Sequence, residues 1–458
     1  MRVTHRSSLA IVIFSMAFLQ SCGSDSGSNG QNELLRPEKS WGQAGLVEIQ
    51  DGHASNAQVV LFDDGSAMAV WHGNDSVQGP RRVYASRFTP GGSWSAPRAI
   101  DAGRGEPFLP RLAVDADGDV VVVWAALDAN GSDQHVYANT YLHDAGWGTA
   151  QALQMSGTQE QPQVAMNDSG TALAVWQETD EAGVKSVVSS RYATATGWES
   201  PVTIGQAEDL LTVPAVGIDK AGSGIASWLD RPPEGSIDLV ASRFTDGVGW
   251  SATEAVESLD GAASAFAIAL NAAGNGLATW WQSDGDGHGL YSSRFDPVSG
   301  WSAAEEIGPG DGKPGRLALA LAPDDNAIVV WEQDTEESQE IYAAHRQPDG
   351  AWGDPQRLDS LEGFASEPAV AIDADGDAVA VWLQYDGRTD SVYAAQFNPQ
   401  TGWGPQLILE TVSGPPSRWF EARSPAVGVN PDGDALVVWT QFDGENYSIY
   451  GTTFNSWN

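Results

Sequence analysis

A single cysteine, Cys22, occurs in 458 residues, so no internal disulfide can form and the fold must rest on packing and backbone pairing. Basic residues are scarce as well: 23 Lys and Arg stand against 61 Asp and Glu, a formal net charge of −38. That balance argues against nucleic acid and anionic lipid surfaces as partners, since both select basic faces. It leaves cations, basic proteins and neutral glycans open, and it suits solubility in a salty extracytoplasmic medium. No apolar run reaches the roughly 20 residues that a membrane-crossing helix needs. Nowhere does a stretch of about ten residues carry a helical period. The motifs of common chemistry are missing too: no His-Glu-x-x-His, no Gly-x-Ser-x-Gly, no phosphate loop and no Cys/His cluster. The acidic excess supplies so many carboxylate pairs that no catalytic pair can be singled out.

Tryptophan is abundant instead, with 19 copies, 15 of them in two columns. The first is Trp71, Trp124, Trp176, Trp228, Trp280, Trp331, Trp382 and Trp439; the second is Trp94, Trp147, Trp198, Trp250, Trp301, Trp352 and Trp403. Successive members of the first column lie 51 to 57 residues apart, a period that belongs to stacked or radial repeats. Pro368 to Ile408 is the cleanest copy. Each copy has four short apolar segments between turn residues, and Pro110, Pro162, Pro214, Pro368 and Pro425 read as openers of the first segment. In the second segment both parities are apolar (Val120–Trp124, Ala378–Gln384), so both faces of that strand must be buried.

The pattern predicts an all-β protein: an eight-bladed β-propeller of four-stranded antiparallel blades. The last copy, Pro425 to Phe454, lacks a fourth segment, while an orphan one, Trp41 to Ile49, precedes the first copy. The N-terminal strand is therefore expected to complete the last blade and close the ring, leaving no open sheet edge. The indoles are expected to wedge between blades, not to stack on sugars. The arginines that precede an aromatic residue (Arg87, Arg191, Arg243, Arg294) are expected to pair with the abundant carboxylates across strands.

The N-terminus reads as a secretory leader, with Arg2 and Arg6 ahead of an apolar run from Leu9 to Leu19. Leu19-Gln-Ser-Cys22 resembles the lipobox of bacterial lipoproteins, which implies that Cys22 becomes a diacylated N-terminus. Gly23 after it implies the outer membrane. The expected organisation is a leader over 1–22, a flexible Gly/Ser/Asn-rich tether over 23–40 and the propeller over 41–458. Asp168-Ser-Gly170-Thr171 resembles the Asp-box hairpin of sialidase-type propellers, although the tryptophan arrives only at Trp176. The arginine triad and tyrosine–glutamate pair of that family match no positions here. The whole of 41–458 resembles the Trp-rich, Ala-Val-Trp-type repeats of uncharacterised bacterial surface proteins.

Candidate sites are few. The long inter-blade loop Glu410–Ser424 carries Arg418, Trp419, Phe420 and Arg423, residue types that anchor interfaces or stack on sugars. Trp281, like Trp419, stands outside the columns and joins them as a ligand-binding candidate. Asp284 and Asp286 form a loose cation candidate. The turns Asp115–Asp119 and Asp373–Asp377 place Gly fourth and lack the closing Glu of a calcium loop, so they read as tight hairpins. No cofactor is expected; calcium stays open but without support. The sequence points to a monomeric, lipid-anchored, non-catalytic binding scaffold for a protein or glycan. A glycan-processing enzyme with its site in the central funnel and a purely structural envelope protein are the alternatives.

Overall fold

Val120, Val121, Val122, Val123 and Trp124 have no exposed surface at all, so the second strand of the repeat lies between two neighbouring sheets. The computed structural model describes residues 39–458, except for 104, 129–130, 132, 155, 208–212, 233–234, 284–286, 311–312, 336–337, 362, 386, 388, 411–421 and 456–458. Each repeat forms an antiparallel meander. In the third blade Thr158–Met166 pairs with Thr171–Thr179, which pairs with Lys185–Ala193. That strand in turn carries two outer segments, Gly197–Trp198 and Val202–Ala207. Eight such sheets stand in a ring around their first strands, giving an eight-bladed, all-β propeller.

The ring closes as the termini of the sequence imply. Ser40–Trp41 and Gly45–Leu46 pair with the third strand of the last blade, Tyr447–Asn455, in the register Trp41 to Phe454 and Leu46 to Tyr450. Gly42 and Val47 donate their N–H groups to the carbonyls of Thr453 and Ile449, both at 2.8 Å. Lys39 adds an ion pair to Asp434 at 3.1 Å.

The two tryptophan columns are core. Members of the first are at most 2% exposed, and six of them stack on a tyrosine of the next strand, as Trp124 does on Tyr137 with centroids 6.1 Å apart. Members of the second are half-buried, and six of the seven lean on an aromatic residue, as in Trp198 on Tyr192 at 5.3 Å, while Trp352 lies opposite Arg346. Trp41 on Phe454, also at 5.3 Å, supplies one more such pair at the seam. The arginine pairing holds for Arg191 with Glu199 (2.9 Å) and Asp246 (3.1 Å), for Arg243 with Glu254, and for Arg294 with Asp325 (3.3 Å). Arg87 bonds hydroxyls instead, those of Tyr141 and Ser66.

Two expectations about strands need correction. The outer strand is not continuous. After its Gly-Trp pair a serine of the third strand takes over a carbonyl that a ladder would use, as when Ser86 Oγ donates to Ser95 O at 2.7 Å and Ser190 Oγ to Glu199 O at 2.8 Å. The interruption blunts an exposed edge. The inner strands also start earlier than their prolines: Ala365–Ile372 contains Pro368, and Ala422–Val429 contains Pro425. These prolines sit where the register slips, between Ser366 and Ala369 and between Arg423 and Ala426, so the ladder does not need their missing N–H. The hairpin turns follow expectation: Asp115 Oδ1 accepts the N–H groups of Asp117 and Asp119 at 3.1 and 2.8 Å, and Gly118 adopts φ +82°.

Candidate functional site: the central channel

The slip recurs around the ring. In seven blades the inner strand carries one extra residue opposite the second strand, at the end nearest the inter-blade loops. Six non-glycine residues at this place hold positive φ: Asn56 (+54°), Leu109 (+50°), Gln161 (+54°), Ala265 (+29°), Glu367 (+54°) and Ser424 (+50°). Left-handed backbone costs a non-glycine residue on the order of 1 kcal/mol, more for a bulky one. In the sixth blade the slip falls at Gly315 and Arg316, opposite Glu332, and an added Cβ on Gly315 would fall 2.4 Å from that of Glu332. A bulge of this kind re-aims side chains. Here all the named non-glycine bulge residues line a cavity of about 690 Å³ to which every blade contributes.

Half of this rim is internally satisfied. Arg316 pairs with Glu367 at 2.9 Å, and the other oxygen of Glu367 accepts the N–H of Ser424 at 2.7 Å. Ser424 Oγ reaches Asn56 Oδ1 at 3.2 Å. Glu332, on the strand behind, accepts the N–H groups of Arg316 (2.9 Å) and Glu367 (2.7 Å). This chain of contacts stitches blades six, seven, eight and one. At the first blade Ser55 bonds His72 Nε2 at 2.8 Å, and burial together with Arg81 pushes that imidazole down to about 4, so it is neutral.

The other arc is open. At one matched repeat position, blades one to three place Gln58, Arg111 and Gln163 in the channel wall, where blades four to eight have Ala215, Ala267, Ala318, Ala369 and Ala426. Gln58 donates only to the carbonyl of its neighbour Ala57, at 2.9 Å. Gln161 Oε1 is buried with no hydrogen-bond partner. Arg111 makes one hydrogen bond, from Nη1 to the Pro110 carbonyl at 3.0 Å. Protein atoms crowd its guanidinium closely enough that burial pushes it below the ordinary arginine range, and among the described residues no carboxylate counters that. Facing this arc are the apolar Phe266, Leu317 and Val213.

Of the candidates named from sequence, Cys22, Asp284, Asp286, Arg418, Trp419 and Phe420 lie outside the described residues. Arg423 is exposed near the start of the last inner strand, its guanidinium 4.9 Å over the Tyr447 ring. Trp281 is corrected: it has no exposed surface and packs with Leu290, Ile307 and Trp331, so it offers no face to a ligand. Arg111, Gln161 and Gln163 were not singled out from sequence. For Arg111 and Gln163 the usable signal was departure from alanine at matched repeat positions; the position of Gln161 varies from blade to blade and gave none.

No protein-family model matches the chain, and no curated protein matches it. Solved structures do. A protein of unknown function from Dyadobacter fermentans DSM 18053 is 12% identical over 92% of this chain and 99% of that one, with a TM-score of 0.44. An ulvan lyase of polysaccharide lyase family PL25, bound to a glucuronate–sulfated rhamnose unit, is 12% identical over 80% and 96%, with a TM-score of 0.46. The fucose-specific lectin of Aleuria aurantia is 13% identical over 67% and 96%, with a TM-score of 0.39. At these identities and scores no residue role passes from them to this chain.

Proposed function

We propose that the protein is a non-catalytic binding scaffold that holds a glycan in the mouth of its central channel, carried at the outer membrane by a lipid on Cys22. The observation that carries this reading is the open arc of Gln58, Arg111, Gln161 and Gln163 beside a rim whose other polar groups satisfy one another. Buried or crowded polar groups without partners are costly, and a ligand that supplies those partners offsets the cost. A sugar fits both walls, its hydroxyl edge toward the amides and guanidinium and its C–H face toward Phe266 and Leu317. The cavity, at about 690 Å³, lies within the roughly 300–1,000 Å³ typical of small-ligand sites.

The test is capture on a glycan array by the full-length protein and by Val213→Trp, which narrows the mouth at a residue 39% exposed. Binding by the wild type that is lost in the variant, with the captured sugar recovered uncleaved, is the expected result. Equal capture by both proteins overturns the channel as the site, and recovery of shortened sugar overturns the non-catalytic reading. Lipid attachment is tested separately, by intact mass and detergent partitioning of wild type against Cys22→Ser. An unchanged mass and partitioning would remove the anchor.

A further inference from the structure

Arg111 differs from the other channel arginine and from most arginines of this chain. Among 61 acidic residues, partners are close at hand: Arg82 holds Asp101 at 2.7 Å, Arg357 holds Asp359 at 2.7 Å, and Arg316 holds Glu367 at 2.9 Å. Arg111 has the Pro110 carbonyl alone. A guanidinium keeps its charge under all ordinary conditions and presents five N–H donors in a planar fork. One donor is used, and the rest have no acceptor among the described residues.

A cation crowded by protein and left without a counter-charge destabilises the fold that carries it. Folding does not require this one, because Ala215, Ala267, Ala318, Ala369 and Ala426 occupy the matched position in other blades. Next to it, on the third blade, Gln161 Oε1 waits for a donor. An acceptor-only anion would suit Arg111 and a hydroxyl would suit Gln161, so the two together describe one ligand that carries both groups. Resting on the channel reading above, we propose that the ligand is an acidic sugar whose carboxylate or sulfate is received by the Arg111 fork, with an adjacent hydroxyl donated to Gln161. The net charge of −38 then acts as a selectivity device. It repels anions at long range, so only one able to make the short-range contact is retained.

The experiment measures binding of three tetrasaccharides by calorimetry: a galacturonate oligomer (carboxylate), a carrageenan oligomer (sulfate) and cellotetraose (neutral). The proteins are full-length wild type, Arg111→Gln, Arg111→Lys and Val213→Trp. At least one anionic sugar is expected to bind the wild type about 30-fold or more tightly than Arg111→Gln, with Arg111→Lys between them. Its affinity should rise as salt goes from about 10 to about 150 mM, since screening removes the long-range repulsion. Which anionic sugar binds distinguishes carboxylate from sulfate. Ligand-free Arg111→Gln should melt at the same temperature as wild type or higher.

Equal affinity of cellotetraose for wild type and Arg111→Gln, weakened by Val213→Trp, overturns the anion while leaving the channel in place. Affinity that neither variant changes overturns both. Failure of wild type to bind either anionic sugar, or a lower melting temperature in Arg111→Gln, also overturns the proposal, because Arg111 would then be a support of the fold.

Discussion

Replacing Val47 by aspartate should loosen the closing segment from the last blade without dissolving the rest of the ring. Val47 is 1% exposed and packs with Ile449, Val438 and Trp71. Its burial contributes about 2 kcal/mol. The backbone bonds from Gly42 and Val47, with the bond from Thr452 Oγ1 to the Gly42 carbonyl at 2.8 Å, add about 1 kcal/mol each. These contacts around Val47 and Gly42 amount to roughly 5 kcal/mol, to which the Trp41–Phe454 packing and the two short ladders add. Val47→Asp removes the first contribution and adds the desolvation of a carboxylate, several kcal/mol more. The perturbation is therefore comparable with the contacts around Val47, and the stretch from Gly42 to Val47 should loosen. Hydrogen exchange would show it: the amides of Gly42 and Val47 lose protection while those of Val437 and Val438, in the second strand of the same blade, keep theirs. Ile49→Asp, at a position 76% exposed, is the control and should change nothing. Unchanged protection of Gly42 and Val47 would refute the reasoning, as would simultaneous loss of protection in every blade.

The two tryptophan columns should separate by size of effect. Trp176→Ala, at a site with no exposed surface, should cost about 3–5 kcal/mol in denaturant unfolding, and half-buried Trp198→Ala clearly less; equal costs would mean that the second column is as deeply buried as the first. His72 should make stability fall in acid. Its folded value of about 4 lies below the ordinary 6.5, so the folded state binds fewer protons across that window. The stability it contributes is complete above pH 6.5 and is lost as the pH falls towards 4, to a total of about 3 kcal/mol. His72→Gln, which can still reach Ser55, should remove this part of the pH dependence when both proteins are unfolded at pH 7 and pH 4.5, and parallel curves would count against a neutral buried imidazole.

Much of the fold was legible because it is written in repetition. The spacing of Trp71 to Trp439 fixes the number of blades, and the orphan segment at Trp41 shows how the ring closes. The site was less legible for a definite reason. A one-residue slip in a strand reverses which side chains face the channel, and a bulge has no signature in hydropathy. Pro110, Pro162 and Pro368 marked the slips but read equally well as strand openers. Trp281 drew attention by standing outside the columns. In a strand buried on both faces, however, being out of phase with Trp280 leads only to the other side of the core. Arg111 passed unnoticed because its meaning depends on what is not near it, which only coordinates reveal.

In a ring of near-identical blades, what folding needs is repeated, and what it does not need shows as departure from the repeat. That matched position is alanine in five blades, so the inner strand pairs and packs without a larger side chain there. Gln58, Arg111 and Gln163 form a run of departures on three consecutive blades, and Gln58 and Arg111 each give the described residues a single hydrogen bond, to a neighbouring carbonyl. The triple replacement Gln58→Ala, Arg111→Ala and Gln163→Ala should therefore fold with an unchanged or higher melting temperature. It sheds a crowded, uncompensated cation and loses no ion pair. A drop of more than a few degrees would show that these residues brace the channel wall, and the case for a ligand there would lose its footing. A stable ring that has lost its sugar would show the reverse: the symmetry was broken for binding, at some cost in stability.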